Sequence, residues 1–154
     1  MIDEDLSLDA LVAHYDSREH PAQLVRRVHQ RAAQLFTQAV VLPNLSATQF
    51  ASVATLLKHG PLTLGQLGRL ISMDPSTTTV VARKLEKQGL VTRRRSDVDQ
   101  RATVLELTEH GQECARNHIP ISVKAGKTLL APLTDVEKKL FLKLMRKLLA
   151  DDPE

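Results

Sequence analysis

The chain has 154 residues, a formal net charge of +3, and 42% hydrophobic against 25% charged residues. These totals are ordinary for a soluble globular protein and give one domain a real core. Aromatic residues amount to only 3%, which makes the core aliphatic and argues against base-stacking RNA modules.

In chain order, residues 5–16 suit a short amphipathic helix through Leu8, Leu11, Val12 and Tyr15. Pro21 opens a long helix, 21–41, whose Leu24, Val28, Leu35, Phe36 and Val40 share one face; Pro43 closes it. Ser46 with Gln49 is a capping box that starts a helix over 47–59. A strand-like Pro61–Leu62 follows. Thr63 with Gln66 then caps a helix over 64–71. Gly65 and Gly68 lie one turn apart on it. Glycines inside a helix cost about 1 kcal/mol each, so close approach of a neighbouring helix is their expected purpose. The short turn Ser72-Met73-Asp74 forces the next helix to cross steeply, as in a helix-turn-helix.

That next helix spans 75–88. Asp74 is its N-cap and Pro75 takes N1, where a missing N–H costs nothing. Thr78, Val81, Ala82 and Leu85 form the buried stripe. Gly89 at C′, with Leu90 folding back onto Leu85, makes a Schellman stop. The opposite face carries Ser76, Thr77, Thr79, Val80, Arg83 and Lys87. These small polar, methyl-bearing and cationic groups suit base edges, thymine methyls and phosphates. Strands over 90–95 and 103–108 form a two-stranded ribbon, with Leu105 and Leu107 on one face. The loop between them, SDVDQRA, is long and charged. Between Arg83 and Arg101 seven Lys or Arg face three Asp or Glu, while the rest of the chain sums to −1. A capped helix followed by a basic ribbon, with Arg94 and Arg95 at its edge, points to double-stranded DNA.

Thr108 caps a helix over 109–130, and Thr134 with Glu137 boxes one over 135–150. Val136, Leu140, Leu144 and Leu148 form one stripe on the last helix; Phe141, Met145 and Leu149 form another. Together they cover too wide an arc for one small core. Both chain ends are therefore expected to meet a second copy, giving a homodimer that presents two recognition helices to a palindromic site.

Other chemistries find little support. The chain lacks a Gly-rich phosphate loop, a nucleophile elbow and an HExxH motif, so no enzyme activity is expected. The histidines show no metal spacing, and neither a metal nor a cofactor is expected. Asp97 and Asp99 sit beside arginines on the ribbon loop, where they orient cations. Cys114, the single cysteine, excludes an intrachain disulfide and fits a reducing compartment. It reads as a buried small hydrophobe, with a redox sensor as the alternative. The acidic start MIDEDLSLDA is unlike a signal peptide, and no apolar run would span a membrane. A cytoplasmic location and no membrane partner are expected.

The segments LSATQFASVATLLKHGPLTLGQLGRLISMDPSTTT, KLEKQGLVTRRRSDVDQRATVLELTEHG and LLAPLTDVEKKLFLKLMRKLL resemble bacterial MarR-type transcriptional regulators over roughly 21–150. The resemblance implies a mainly α fold with a small β-ribbon wing, a winged helix-turn-helix with N- and C-terminal dimerisation helices. About 45–108 would form the DNA-binding lobe of a single domain, 1–154, and about 5–42 with 109–150 the dimerisation region. It implies a repressor of a palindromic operator, released by a small-molecule effector, an aromatic carboxylate. A transcriptional activator, or a redox-responsive regulator using Cys114, is the alternative. The family's wing motif Asp-x-Arg falls on Asp99 and Arg101, with Arg101 expected at the minor groove and Asp99 bracing it. A narrow minor groove has enhanced negative potential and favours such a cation. Two departures bear on the operator sequence: Val80 stands where family members often have arginine, and Gln100 replaces a frequent wing arginine. With the effector expected to be anionic, Arg26 and His29, beside Arg27 and Arg31, and the apolar Phe36 and Phe50 become its candidate ligand residues, with a solvated face as the alternative for the cationic row.

Overall fold

The computed structural model describes residues 7–40 and 45–150. Among them the elements run α1 (Leu8–His14), α2 (Pro21–Ala39), α3 (Ala47–His59), β1 (Leu62–Thr63), α4 (Leu64–Leu70), α5 (Pro75–Lys87), β2 (Val91–Arg95), β3 (Thr103–Leu107), α6 (Glu109–Leu130) and α7 (Asp135–Leu149). The expected mainly α fold with a β-ribbon wing is what the chain adopts.

Local chemistry sets most boundaries. Ser46, Thr63 and Thr134 each accept from the N3 backbone while Gln49, Gln66 and Glu137 reach back to them, so all three expected capping boxes form. Thr108 Oγ1 accepts from Gly111 N–H at 2.9 Å and starts α6. α5 stops as a Schellman motif: Leu90 N–H donates to the Leu85 carbonyl and Gly89 N–H to that of Glu86, each at 2.9 Å, with Gly89 at φ +69°. The first helix is shorter than expected, since Ser7 caps its start in an extended conformation and Tyr15 is already extended at its end; residues 5 and 6 of the expected span lie outside the described residues. α2 ends at Ala39 with Val40 extended; the expected end at Val41 and the closing Pro43 lie outside the described residues.

The sheet has three antiparallel strands in the order β1-β3-β2. The expected strand at 61–62 is displaced by one residue, because Leu62 pairs with Leu105 and Thr63 with Val104. Thr63 thus ends a strand and caps a helix at once. The core lies between α3, α4, α5, the sheet and the start of α6. Val53, Leu56, Leu67, Leu85 and Leu105 are almost fully enclosed there, with Phe36, Leu90, Val91 and Ala115 around them. α1 and α7 contribute no buried residue. Val136, Leu140, Leu144 and Leu148 of α7 stay 50–77% exposed.

Candidate nucleic-acid interface

The turn between α4 and α5 is built from backbone bonds. Met73 N–H donates to the Gly68 carbonyl at 2.8 Å, and Ser72 takes a left-handed conformation, φ 53°. Gly68 lies at the crossing: a Cβ there would sit 2.9 Å from Thr78 Oγ1 and 3.0 Å from the Met73 carbonyl oxygen. Close approach therefore explains Gly68. It does not explain Gly65, where a Cβ would meet nothing within 4 Å; the expectation for that glycine is corrected. Asp74 caps α5 by accepting from Thr77 N–H at 2.9 Å and from the Thr77 hydroxyl. Those bonds, the side-chain one first, hold its carboxyl below the ordinary value of 3.8.

Thr78, Val81, Ala82 and Leu85 are the buried residues of α5. The expected outer face is exposed at Ser76, Thr77, Val80, Arg83 and Lys87, with Thr79 half-buried. The helix is thus held by its inner stripe and leaves one side free along its length.

The wing extends from β2 and β3. Ser96 N–H donates to the Ala102 carbonyl at 3.0 Å, and the Ser96 hydroxyl accepts from Val98 and Asp99 N–H, which shapes the loop. Asp99 Oδ1 accepts from Arg101 backbone N–H at 2.9 Å. The brace expected of Asp99 therefore acts on the backbone of Arg101, as an Asx turn. Arg101 is exposed. Arg94 pairs with Asp97 at 2.9 Å and approaches Glu106 at 3.7 Å; Arg95 donates to the Gln100 carbonyl at 3.2 Å. All three arginines and Asp99 lie on one loop-and-strand unit. Its half-exposed ion pairs are weak enough to yield to phosphates.

Sequence reasoning missed three connections. Arg93 bonds Glu86 at 3.3 Å and ties β2 to α5. Gln49 Nε2 donates to Gln88 Oε1 at 3.1 Å, joining the start of α3 to the end of α5. At Gly111 a Cβ would collide with the Leu90 carbonyl oxygen, so α6 begins against the base of the wing. Only the glycine carried a visible signal, an unfavourable residue in a first helical turn.

A cleft of about 320 Å³ opens between α2, α3 and α6. Of the candidate effector residues His29, Phe36 and Phe50 line it; Arg26 does not, and its Nε donates to Gln23 Oε1 at 2.8 Å instead. Most of the other walls are small, with Ala32, Ala33, Ala47, Ala51, Ser122, Ala125 and Gly126, and Leu129 closes one end of the lining. Alanines facing one another from three helices are the sequence signal that was overlooked. Phe36 and Phe50 stack at 5.1 Å between centroids.

Cys114 is buried, and burial raises its thiol pKa. His118 Nδ1 lies 3.8 Å from Sγ but 2.8 Å from the Cys114 carbonyl. A carbonyl only accepts, so Nδ1 carries a hydrogen and cannot take the thiol proton. The buried-hydrophobe reading fits this geometry, and the sensor reading gains nothing from it. Among the described residues no group of three or more His, Cys, Asp or Glu is placed to hold a metal, and no helix is long and apolar enough to cross a membrane.

A crossed helix pair with an exposed second helix, followed by a basic hairpin wing, defines a winged helix-turn-helix DNA-binding protein. The model of the MarR family matches residues 45–103, from just before α3 into β3. The chain is 28% identical over 138 residues to the HTH-type transcriptional repressor NicR of Pseudomonas putida, spanning 90% of this chain and 87% of that one. The structure of the PcaV regulator of Streptomyces coelicolor with its natural ligand superposes with TM-score 0.82 at 27% identity, covering 90% of this chain and 98% of that one. A mutant of Escherichia coli MarR bound to operator DNA shares the fold, with TM-score 0.79, 22% identity and coverage of 88% and 99%. Over residues 45–103 the chain carries the segment of the MarR family, and the relatives it is similar to are DNA-binding transcriptional regulators.

Proposed function

We propose that the protein is a homodimeric repressor that binds a palindromic operator and is released by a small aromatic carboxylate. The cleft between α2, α3 and α6 carries this reading, because its α3 wall is bonded through Gln49 to the end of the recognition helix. An occupant that moves the start of α3 moves α5 with it. The DNA surface comprises Ser76, Thr77, Thr79, Val80, Arg83 and Lys87 on α5, and Arg94, Arg95 and Arg101 on the wing with Asp99 holding the tip. The lobe over about 45–108 supplies it. The exposed apolar faces of α7 and α2 supply the dimer contact. His29, at the cleft, is the group offered to a carboxylate, and the Phe36–Phe50 pair offers a surface to an aromatic ring. NicR, described as a repressor, and PcaV, described with a natural ligand, support the two halves of this assignment by likeness.

The test is fluorescence anisotropy with a duplex enriched from a random library. With roughly eight phosphates contacted, affinity falls by about 10³–10⁵ between roughly 50 and 200 mM salt. A panel of aromatic carboxylates is then added to the complex. Release by at least one of them is expected. A flat salt response contradicts the basic surface, and a complex indifferent to the whole panel contradicts the effector class.

A further inference from the structure

We infer that the first two turns of α5 read thymine 5-methyl groups in the major groove, with Val80 setting that preference. The inference deepens the regulator reading above and rests on it.

The N-terminal residues of a recognition helix are the ones that meet base edges. Here residues 75–82 read PSTTTVVA. They contain no Arg, Lys, Asn or Gln, the side chains that make bidentate pairs to guanine or adenine. The threonine hydroxyls are already committed. Thr77 Oγ1 donates to Asp74 Oδ2, Thr78 Oγ1 to the Asp74 carbonyl at 2.8 Å, and Thr79 Oγ1 to the Pro75 carbonyl at 2.9 Å. A hydroxyl has one hydrogen, so Thr77 and Thr79 are left as acceptors with a methyl beside them. They cannot donate to guanine O6 or N7 without breaking a bond to the helix start. Asp74 reinforces this, since its carboxylate is held ionised by the same Thr77 contacts.

Val80 completes the surface. It is 48% exposed on the outer face, beside Thr77 and Thr79, and it has no polar side-chain atom. Apart from the Ser76 hydroxyl, which can bond to any base, the surface offered to a groove therefore carries methyl groups. The one apolar group on a major-groove base edge is the thymine 5-methyl. Arg83 and Lys87 follow about one and two turns after Val80, beyond the first two turns of the helix, and both are exposed for contact with the DNA backbone.

The experiment uses the full chain and a duplex enriched from a random library. A second duplex carries deoxyuridine in place of thymine throughout both half-sites, which deletes only the methyls. Burying one methyl is expected to count roughly fourfold in affinity, so one contacted thymine per half-site gives a loss of roughly sixteenfold. Val80→Ala should bind the thymine duplex more weakly and lose most of that difference. Equal affinity for the two duplexes overturns the inference, as do enriched half-sites without thymine. A full deoxyuridine penalty in Val80→Ala overturns the assignment to Val80. If no duplex is enriched and binding shows no salt dependence, the DNA-binding reading itself fails and takes the inference with it.

Discussion

Arg101 and Asp99 divide one task between them. The Asp99 carboxylate holds the wing tip through the Arg101 backbone, and the Arg101 side chain stays exposed, as the DNA surface proposed above requires. Arg101→Ala should therefore weaken operator binding strongly, with the dimer and the melting curve unchanged. Asp99→Ala should weaken it less, by loosening the tip. Anisotropy beside sedimentation checks both; unchanged affinity in the arginine variant removes the wing from the mechanism. Asp74 makes a second single-residue case. Its carboxyl has a lower pKa in the folded chain than its ordinary value of 3.8, owing to Thr77. The sign is that of a depressed acid: its cap is fully present above about 3.8 and is lost as pH falls through the lower folded value. Asp74→Asn should flatten that part of an acid unfolding curve, and an unaltered acid limb would contradict the role given to the cap.

At the scale of elements, the two glycines of α4 should separate cleanly. Gly65→Ala meets open space and replaces a poor helix former, so a gain of about 0.5–1 kcal/mol is expected. Gly68→Ala pushes a Cβ onto Thr78 and the Met73 carbonyl and should cost about 1–3 kcal/mol while prising α4 from α5. Thermal melts decide this, and equal effects would mean that the crossing is looser than it looks. The pair also shows what the sequence makes legible. Helix starts were readable because capping is local chemistry: Ser46, Thr63, Asp74, Thr108 and Thr134 all cap as expected. The exposed face of α5 was readable because burial follows the helical period. Long-range partners were not. Nothing near Arg93 announces Glu86, nothing near Gln49 announces Gln88, and Gly65 and Gly68 look alike until their neighbours in space are known. The cleft was half legible: its aromatic and histidine members stood out, but its alanine walls did not, and Arg26 was drawn in by charge alone.

The whole molecule has to do something about α7. Its exposed leucines and valine form an apolar face on an element that has no fully buried residue, only the half-buried Lys138, Phe141 and Met145. Patches of that kind mark interaction sites, and the second copy proposed above covers this one. Leu144→Asp would place an uncompensated charge in the contact, a change that costs about 3–5 kcal/mol in comparable buried settings. Sedimentation should then show monomers where the wild type is dimeric at micromolar concentration; a monomeric wild type contradicts the assembly. In the proposed dimer the cleft gains a consequence for DNA. Two recognition helices must sit about 34–36 Å apart to enter successive major grooves, and the Gln49–Gln88 bond links each cleft to one of them. The proposed release requires cleft and DNA surface to be coupled, and coupling is reciprocal. A ligand that weakens DNA binding roughly 5–150-fold, a coupling of about 1–3 kcal/mol, must itself be weakened by the same factor when DNA is bound. The direct measurement is calorimetric titration of a releasing aromatic carboxylate into the free protein and into the protein saturated with its operator duplex. The account predicts weaker ligand binding to the complex by the factor seen in DNA release; equal affinity in the two titrations would contradict it.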